Sequence, residues 1–563
     1  MAAVTAAFWV MAGVMLVVAA AGYSPPGQGA SAPSPAAIFV ADLGSPPAPW
    51  PHFWEECVGS GHAALGLRDD WRAHLKLCHD RLGFKRIRQH GLLDDDMGPV
   101  VGHAGGDNGS GALQFNFTLV NSVYQYLVSI GMRPLVELSW MPAAIAARPS
   151  EKVWCYKGGH SPPAAVAEWY ATVHALATNL ASTFGEGEVG NWAFEVWNEP
   201  NCPPCIVGRS SDPDGLFPAC PTGVSGRNPS YPRCGSSEWN LAEYCAVVNA
   251  TATALKTVNR DIWVGGPSTE QLGWIRELAA YAKTNDVPLD FLSTHQYPVD
   301  PHVPRTVEGH SDTIRKAVAE AAPLPLYITE YSVGSHDDPS AAAGILTYIP
   351  RLQAPGGPKI FSYWAFSDVF EEHCLDPTPY HGGWGLVNWY GIPKPSFRAF
   401  EMLHEAGTST VPVTDGNTQR GGAYATVTSG NGTQAVTCFV VVDKAPTGPQ
   451  HVMAFLTAYA MATIEGAGNT TVDVSFCGPT GGKLPTTARI RRIDEWHANP
   501  KRVWMAAGSP KTPNASLLAA LTTASELVDE VIQLQTHSNC ATATVLLPTT
   551  AAVAVIDFNV SSM

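Results

Sequence analysis

Eight short apolar runs, each followed by a stretch of helical period, constrain this chain more than any other feature. The runs fall near residues 52–57, 86–90, 134–139, 192–198, 262–267, 290–297, 324–331 and 359–366. Between them, residues 68–82, 166–184, 238–258 and 310–322 carry apolar positions at helical spacing. Strand-like runs alternating with helices build β/α units. Eight such units with no point of reversal close most simply into a (β/α)8 barrel, whose active site lies at the C-terminal ends of the strands. No glycine-rich phosphate loop follows the first run, which speaks against a nucleotide-binding fold.

Past about residue 405 the pattern changes. Short Val/Thr/Ala-rich runs at 422–428, 435–442, 452–460, 470–477, 542–547 and 552–558, separated by Gly, Asn and Pro, read as a β-sandwich, with helical patches at 493–505 and 516–531 interrupting it. At the other end, residues 6–21 are apolar and finish in small residues before a Pro/Ser/Gly-rich segment. That is the pattern of a signal peptide, although its n-region lacks Lys and Arg; an uncleaved anchor is the alternative. The expected organisation is a signal peptide at 1–22, a linker at 23–37, a catalytic barrel at 38–405 and a sandwich at 406–563.

The 12 cysteines fit an oxidising compartment. Five of them, Cys202, Cys205, Cys220, Cys234 and Cys245, fall in one insertion and are expected to form disulfides in a long loop, because no second C-x-x-C or His-rich partner completes a zinc set. Sequons at Asn108, Asn116, Asn249, Asn431, Asn469, Asn514 and Asn559 agree with a secreted or lysosomal/vacuolar glycoprotein. Net charge is −15 with no basic run, so no nucleic-acid partner is expected, and none in a membrane once the leader is removed.

Two runs carry the chemistry. The fourth ends W-N-E-P, placing Asn198 and Glu199 before a chain-breaking proline; the seventh reads L-Y-I-T-E-Y and ends in Glu330. A carboxylic acid at the end of a buried strand is costly unless something uses it, and a capping or salt-bridged acid is the plainer use. Two such acids on strands facing across a barrel mouth fit the hydrolysis of an acetal, which needs an acid for the leaving oxygen and a carboxylate on the opposite face. The expected separation is roughly 5–5.5 Å, that of a retaining, double-displacement glycosidase. Asp94-Asp95-Asp96 reads as a loop rim. Three adjacent aspartates cannot converge on one ion, so neither a metal nor another cofactor is expected.

The W-N-E-P and I-T-E-Y segments resemble those of the retaining β/α-barrel glycosidases. Further stretches resemble glycoside hydrolase family 39: H-F-W-E-E-C-V-G-S-G-H-A from His52, R-Q-H-G-L-L-D-D-D-M from Arg88, S-T-H-Q-Y from Ser293, F-S-D-V-F-E-E from Phe366 and R-I-D-E-W-H-A-N-P-K-R-V-W from Arg492. The resemblance implies a TIM barrel with a β-sandwich and a helix-loop-helix near 493–510. It implies Glu199 as acid/base, Glu330 as nucleophile and Asn198 on the sugar 2-hydroxyl. His295 and Tyr297 would lie near the nucleophile, with Tyr297 donating a hydrogen bond to Glu330. His90, Glu371 and Glu372 would hold sugar hydroxyls, and Trp140 and Trp364 would wall the pocket. A structural His90, an exposed Glu371-Glu372 pair and a purely core Trp364 are the plainer alternatives.

The family holds β-xylosidases and α-L-iduronidases. A uronide calls for a cation to clamp its carboxylate. The iduronidase branch has a Lys two residues after the counterpart of His295, where this chain has Tyr297, and no Arg lies around His381–Trp384. The reading is therefore an exo-acting β-xylosidase acting on carbohydrate, with an iduronidase-like enzyme and a non-catalytic carbohydrate-binding barrel as alternatives.

Overall fold

The computed structural model describes residues 37–104, 111–201, 239–298, 304, 306–353, 356–428, 435–443, 450–461, 469–478, 484–548 and 551–560. The expected leader, most of the linker, the sequons at Asn108 and Asn431, and Cys202, Cys205, Cys220 and Cys234 lie outside them.

Eight parallel strands close on themselves: β1 (Val58–His62), β2 (Arg86–His90), β3 (Arg133–Leu138), β4 (Ala193–Val196), β5 (Trp263–Thr269), β6 (Phe291–His295), β7 (Leu326–Tyr331) and β8 (Ile360–Tyr363). Tyr363 of β8 pairs with Val58 of β1 and completes the ring. A helix follows every strand, from Asp69–Leu82 after β1 to Pro395–Glu405 after β8. Local sequence sets their ends. Asn240 and Glu243 form a reciprocal capping box for Leu241–Val258, and Gly83 ends Asp69–Leu82 in the left-handed conformation. The barrel floor is apolar, a cluster of Cys57, Leu135, Ala193, Phe291, Tyr327 and Ile360. Charged groups enter only above it, as the next subsection describes.

Seven of the expected strands are found close to their predicted places; the first is not. Residues 52–57 form a turn, and the strand is V-G-S-G-H. A Cβ on Gly59 would stand 2.2 Å from Cε3 of Trp364, so the strand needs glycine where an apolar run would place bulk.

The barrel also does not begin at residue 38. Ala37–Asp42 is a sandwich strand, parallel to Thr470–Cys477 and antiparallel to Val413–Asp415, and Ala48–Pro49 pairs with Ser409–Val411 in the facing sheet. Its partners are remote in sequence, so no local pattern assigns it to a domain. A buried core that includes Phe39, Val413, Val440, Leu456, Val474 and Ile556 lies between the two sheets. Cys477 and Cys540, directly opposite on neighbouring strands, are joined by a disulfide. The two helices that interrupt the sandwich are Pro500–Ala506 and Ala515–Ser525; the first starts later than the expected 493, and the second lies in the expected 516–531 but stops before strand Glu530–Gln533. Ile493 ends a strand, and Pro500 at the first helical position starts the helix. Helix Pro339–Leu352 joins the domains. It is buried except at Ser340, and Thr347 and Arg351 hydrogen-bond to Thr457, Thr426 and Thr437 of the sandwich.

Cys245 departs from expectation too. It is a buried free thiol in helix Leu241–Val258, packed with Tyr244 and Val248 in the barrel's helical layer. Among the described residues, no helix is long and apolar enough to cross a membrane.

Candidate active site

Above the floor, the interior is organised around Arg88 of β2. Glu137 of β3 and Glu195 of β4 lie side by side in register, an arrangement two like charges cannot hold alone. Arg88, fully buried, answers both: Nη2 is 2.8 Å from Glu137, and Nε donates to Glu195. The same guanidinium donates from Nη1 to Glu330 Oε1 at 2.7 Å, and from Nη2 to Asn198 Oδ1 at 2.8 Å and Ser268 Oγ at 3.0 Å. Burial would lower its pKa, but Glu137, Glu195 and Glu330 outweigh burial and raise it, so Arg88 stays charged.

Glu330 ends β7 and is held at both oxygens, since Oε2 accepts from the Tyr297 hydroxyl at 2.7 Å. The expected Tyr297 donor is therefore present. Glu199 follows β4 with positive φ, 44°, and its amide donates to Ser268 O. Atoms of Glu199, His295 and Glu330 lie within 4.8 Å of one another. That is close to the short separation of retaining glycosidases and well below the roughly 6.5–9.5 Å of inverting ones.

His295 links the two halves. Arg88 can only donate, so Ser268 Oγ accepts from it and turns its own proton to His295 Nε2, 3.3 Å away. Nε2 is then an acceptor, and the ring proton sits on Nδ1, which donates to Glu199 Oε1 at 2.7 Å. Burial, with Arg88 opposing Glu330, lowers the His295 pKa to about 4, so the ring is neutral and this tautomer is defined.

The opposite wall comes from β1, β2 and the loops after β3 and β8. His90 Nδ1 lies 2.7 Å from Glu137, and its Nε2 faces Glu372 at 3.4 Å and Glu330 at 3.6 Å. Burial brings the His90 pKa down to about 3. Burial and then Glu330, Glu199 and Glu137 push Glu372 well above the usual carboxylate range. The rings of Trp364 and Trp140 stand 4.6 and 5.6 Å from that of His90, and both are buried. Glu371, half-buried, pairs with His62 Nδ1 at 2.6 Å. All ten predicted site residues thus gather at one end of the barrel.

Six residues of this site, Arg88, Glu137, Glu195, Ser268, His62 and Tyr156, were missed by sequence reasoning. Arg88, Glu137 and Glu195 are charges inside buried strands, and that incongruity was their signal. His62 stood in the V-G-S-G-H-A part of the quoted motif with no role assigned to it, and Tyr156 gave no signal. Their rings stack 4.1 Å apart at 6°, and the Tyr156 hydroxyl accepts from Trp140 Nε1 at 3.0 Å. Burial would depress the His62 pKa, yet hydrogen bonds and charge from Asp96 and Glu371 raise it to about 9. The aspartate triplet is not simply a rim. Asp94 is buried beside His62, whereas exposed Asp95 takes the Ala143 amide and Lys152, and Asp96 takes His62.

Behind the loop after β8, Lys394 is buried between Asp337 and Asp368, 2.6 Å from each, and donates to Gly383 O at 2.8 Å. The two aspartates in turn accept from the amides of Gly382 and Gly385. Among the described residues, three groups bring His and carboxylate atoms within 4.8 Å: Glu199/His295/Glu330, His62/Asp94/Asp96 and His52/Glu55/His404. In each group a His nitrogen already stands at hydrogen-bonding distance from a carboxylate.

The family model described as glycosyl hydrolases family 39 matches residues 42–205 and 235–539. A β-xylosidase of Caldicellulosiruptor saccharolyticus is 35% identical over 502 residues, covering 85% of this chain and 90% of the relative. A family 39 β-xylosidase structure from Caulobacter crescentus superposes with a TM-score of 0.68 at 26% identity, covering 92% of this chain and 99% of that one. A family 39 enzyme from Xanthomonas axonopodis pv. citri gives 0.70 at 25% identity, covering 96% and 100%.

Proposed function

This chain belongs to glycosyl hydrolase family 39, a family of retaining glycosidases, and we propose that it is an exo-acting β-xylosidase that releases xylose from xylosides and short xylo-oligosaccharides. The observation that carries the reading is the pair Glu199 and Glu330, held at the short separation and each tied to a different donor set. Glu330 attacks the anomeric carbon, its two oxygens oriented by Arg88 and Tyr297. Glu199 protonates the departing oxygen. His295 engages Oε1 as a donor, so the acidic proton belongs on Oε2. Water then enters from the vacated side, Glu199 takes its proton, and attack at the anomeric carbon breaks its bond to Glu330, freeing the sugar with the original anomeric configuration. Asn198 Oδ1 is spent on Arg88, leaving its amide hydrogens for a sugar 2-hydroxyl.

Among the described residues, the cations buried at the site are each already paired with carboxylates, which supports a neutral pentose over a uronide. Arg88 is committed to three carboxylates, and Lys394 is enclosed between two aspartates. His62 is paired with Glu371 and Asp96. The relatives named above support xylose in particular. The leader-like sequence and the disulfides at Cys155–Cys374 and Cys477–Cys540 support a route through the secretory pathway, with sequon glycans added on the way.

The test is a panel of aryl glycosides followed by proton NMR at early times. Aryl β-xyloside should be cleaved, α-iduronide should not, and the first sugar released should be the β-anomer. Turnover of the iduronide alone, or an α-anomer appearing first, refutes the reading.

A further inference from the structure

We propose that the Cys155–Cys374 disulfide is a specificity device that closes the non-reducing end of the sugar pocket and so restricts the enzyme to one terminal residue. The inference rests on the reading of Glu199 as the acid. The bond joins the loop after β3 to the loop after β8, which flank the arc of β1 and β2 in the ring. Glu199 stands after β4. The leaving group departs on its side, so the far end of the bound sugar points to the arc that the disulfide spans.

The residues beside each cysteine build that end wall. Tyr156, next to Cys155, stacks on His62 and is fixed by Trp140. Glu371 and Glu372, shortly before Cys374, reach His62 and His90. The wall therefore runs Trp140, Tyr156, His62, Glu371, with half in each loop and His62 of β1 between them. One covalent link behind it fixes the spacing of the halves.

The backbone supports the same reading. Trp154 and Lys157 flank Cys155 with φ of 62° and 63°, and Cys374 and Leu375 have φ of 52° and 55°. Four non-glycine residues in the left-handed region on the two sides of one crosslink is a conformation that persists only where surroundings over-determine it. The neighbouring contacts and the crosslink supply that here. The other described disulfide, Cys477–Cys540, joins two already paired strands of the sandwich and touches no part of the site.

The experiment compares wild type, the double variant Cys155→Ser/Cys374→Ser, and the control Cys477→Ser/Cys540→Ser, on aryl β-xyloside and aryl β-xylobioside. Wild type and control should take xylose from the xylobioside first, so that chromophore appears after a lag. The strap variant should show KM for aryl xyloside raised about tenfold, as expected when a binding wall is displaced, and should release xylobiose directly with no lag. If the double variant does not fold, mild reduction and alkylation of native enzyme, with Cys155 and Cys374 mapped by mass spectrometry, gives the same readout. An active wild type whose strap variant or alkylated form matches it in KM and products, or whose control variant changes equally, overturns the strap alone. A wild type inactive on both xylosides overturns the functional reading and this inference with it.

Discussion

Two fully buried cations sit within the same barrel and do different work. Lys394 meets Asp337, Asp368 and one carbonyl, and its three donors tie the loop after β8 to itself and to the loop after β7. Burial would lower its pKa, but the two aspartates raise it. Arg88 also meets carboxylates, yet its planar fork spreads over three of them and over Asn198 and Ser268, on strands β3, β4, β5 and β7. One of its carboxylates, Glu330, lines the pocket. A compact ammonium closes a knot; a fork can align several groups and leave one of them to react. Desolvating a charge is expensive in both places. At Lys394 the return is a fixed loop, and at Arg88 it is a shaped site.

The sharpest test of that contrast is Glu330→Ala. Arg88 keeps Glu137 and Glu195, so the fold should hold, with circular dichroism and melting near wild type, while turnover is abolished. Added azide should restore part of the activity with inverted product. Unfolding of this variant would mean that Glu330 belongs to the structural knot.

Lys394→Met should do the reverse. It leaves two buried aspartates without a cation, and removing one partner of such a group costs about 3–5 kcal/mol, readable in urea unfolding. Loss of activity at unchanged stability would move Lys394 into the site and erase the distinction. A smaller effect is expected for Ser268→Ala, which frees His295 to adopt the other tautomer. It should lower kcat/KM by about tenfold on xylosides with poor leaving groups and much less on activated ones, the signature of a mispositioned acid. An equal fall on both would place the defect in binding.

The smallest effect concerns a third buried cation, one that can lose its charge. The His62 pKa is raised from 6.5 to about 9, so the stability it gains from Asp96 and Glu371 is complete below about pH 6.5 and is lost as pH rises through about 9. Melting temperature should fall across that window, and His62→Gln should flatten the step. An unchanged step in the variant would assign it to another group.

The sequence made β4 and β7 legible because each is an apolar run ending in a single Glu before a break or an aromatic. The same rule hid β1, where the ring of Trp364 demands Gly59. It also hid Ala37–Asp42, a strand whose sandwich partners are remote in sequence. In the site, the residues expected to face sugar were legible from their motifs. Those that hold them were not: Arg88 stood inside the R-Q-H-G motif, but its role depends on Glu137 and Glu195 being in register across two other strands. Tyr156 and His62 meet because the loop after β3 comes over the end of β1, and spacing along the chain carries no trace of that.

Strand Ala37–Asp42 has a consequence for how the molecule is made. It lies inside its sheet, between Val413–Asp415 and Thr470–Cys477, so Ala37 must find Val472. Synthesis at about 5–20 residues per second puts roughly 20–90 s between the two. During that wait, A-I-F-V-A-D has both edges unpaired while the whole barrel emerges behind it. Such a strand is the kind of exposed edge that recruits other chains. A chain stalled within the barrel carries this strand with no partner on either side, so shielding the hexapeptide would guard against association through it.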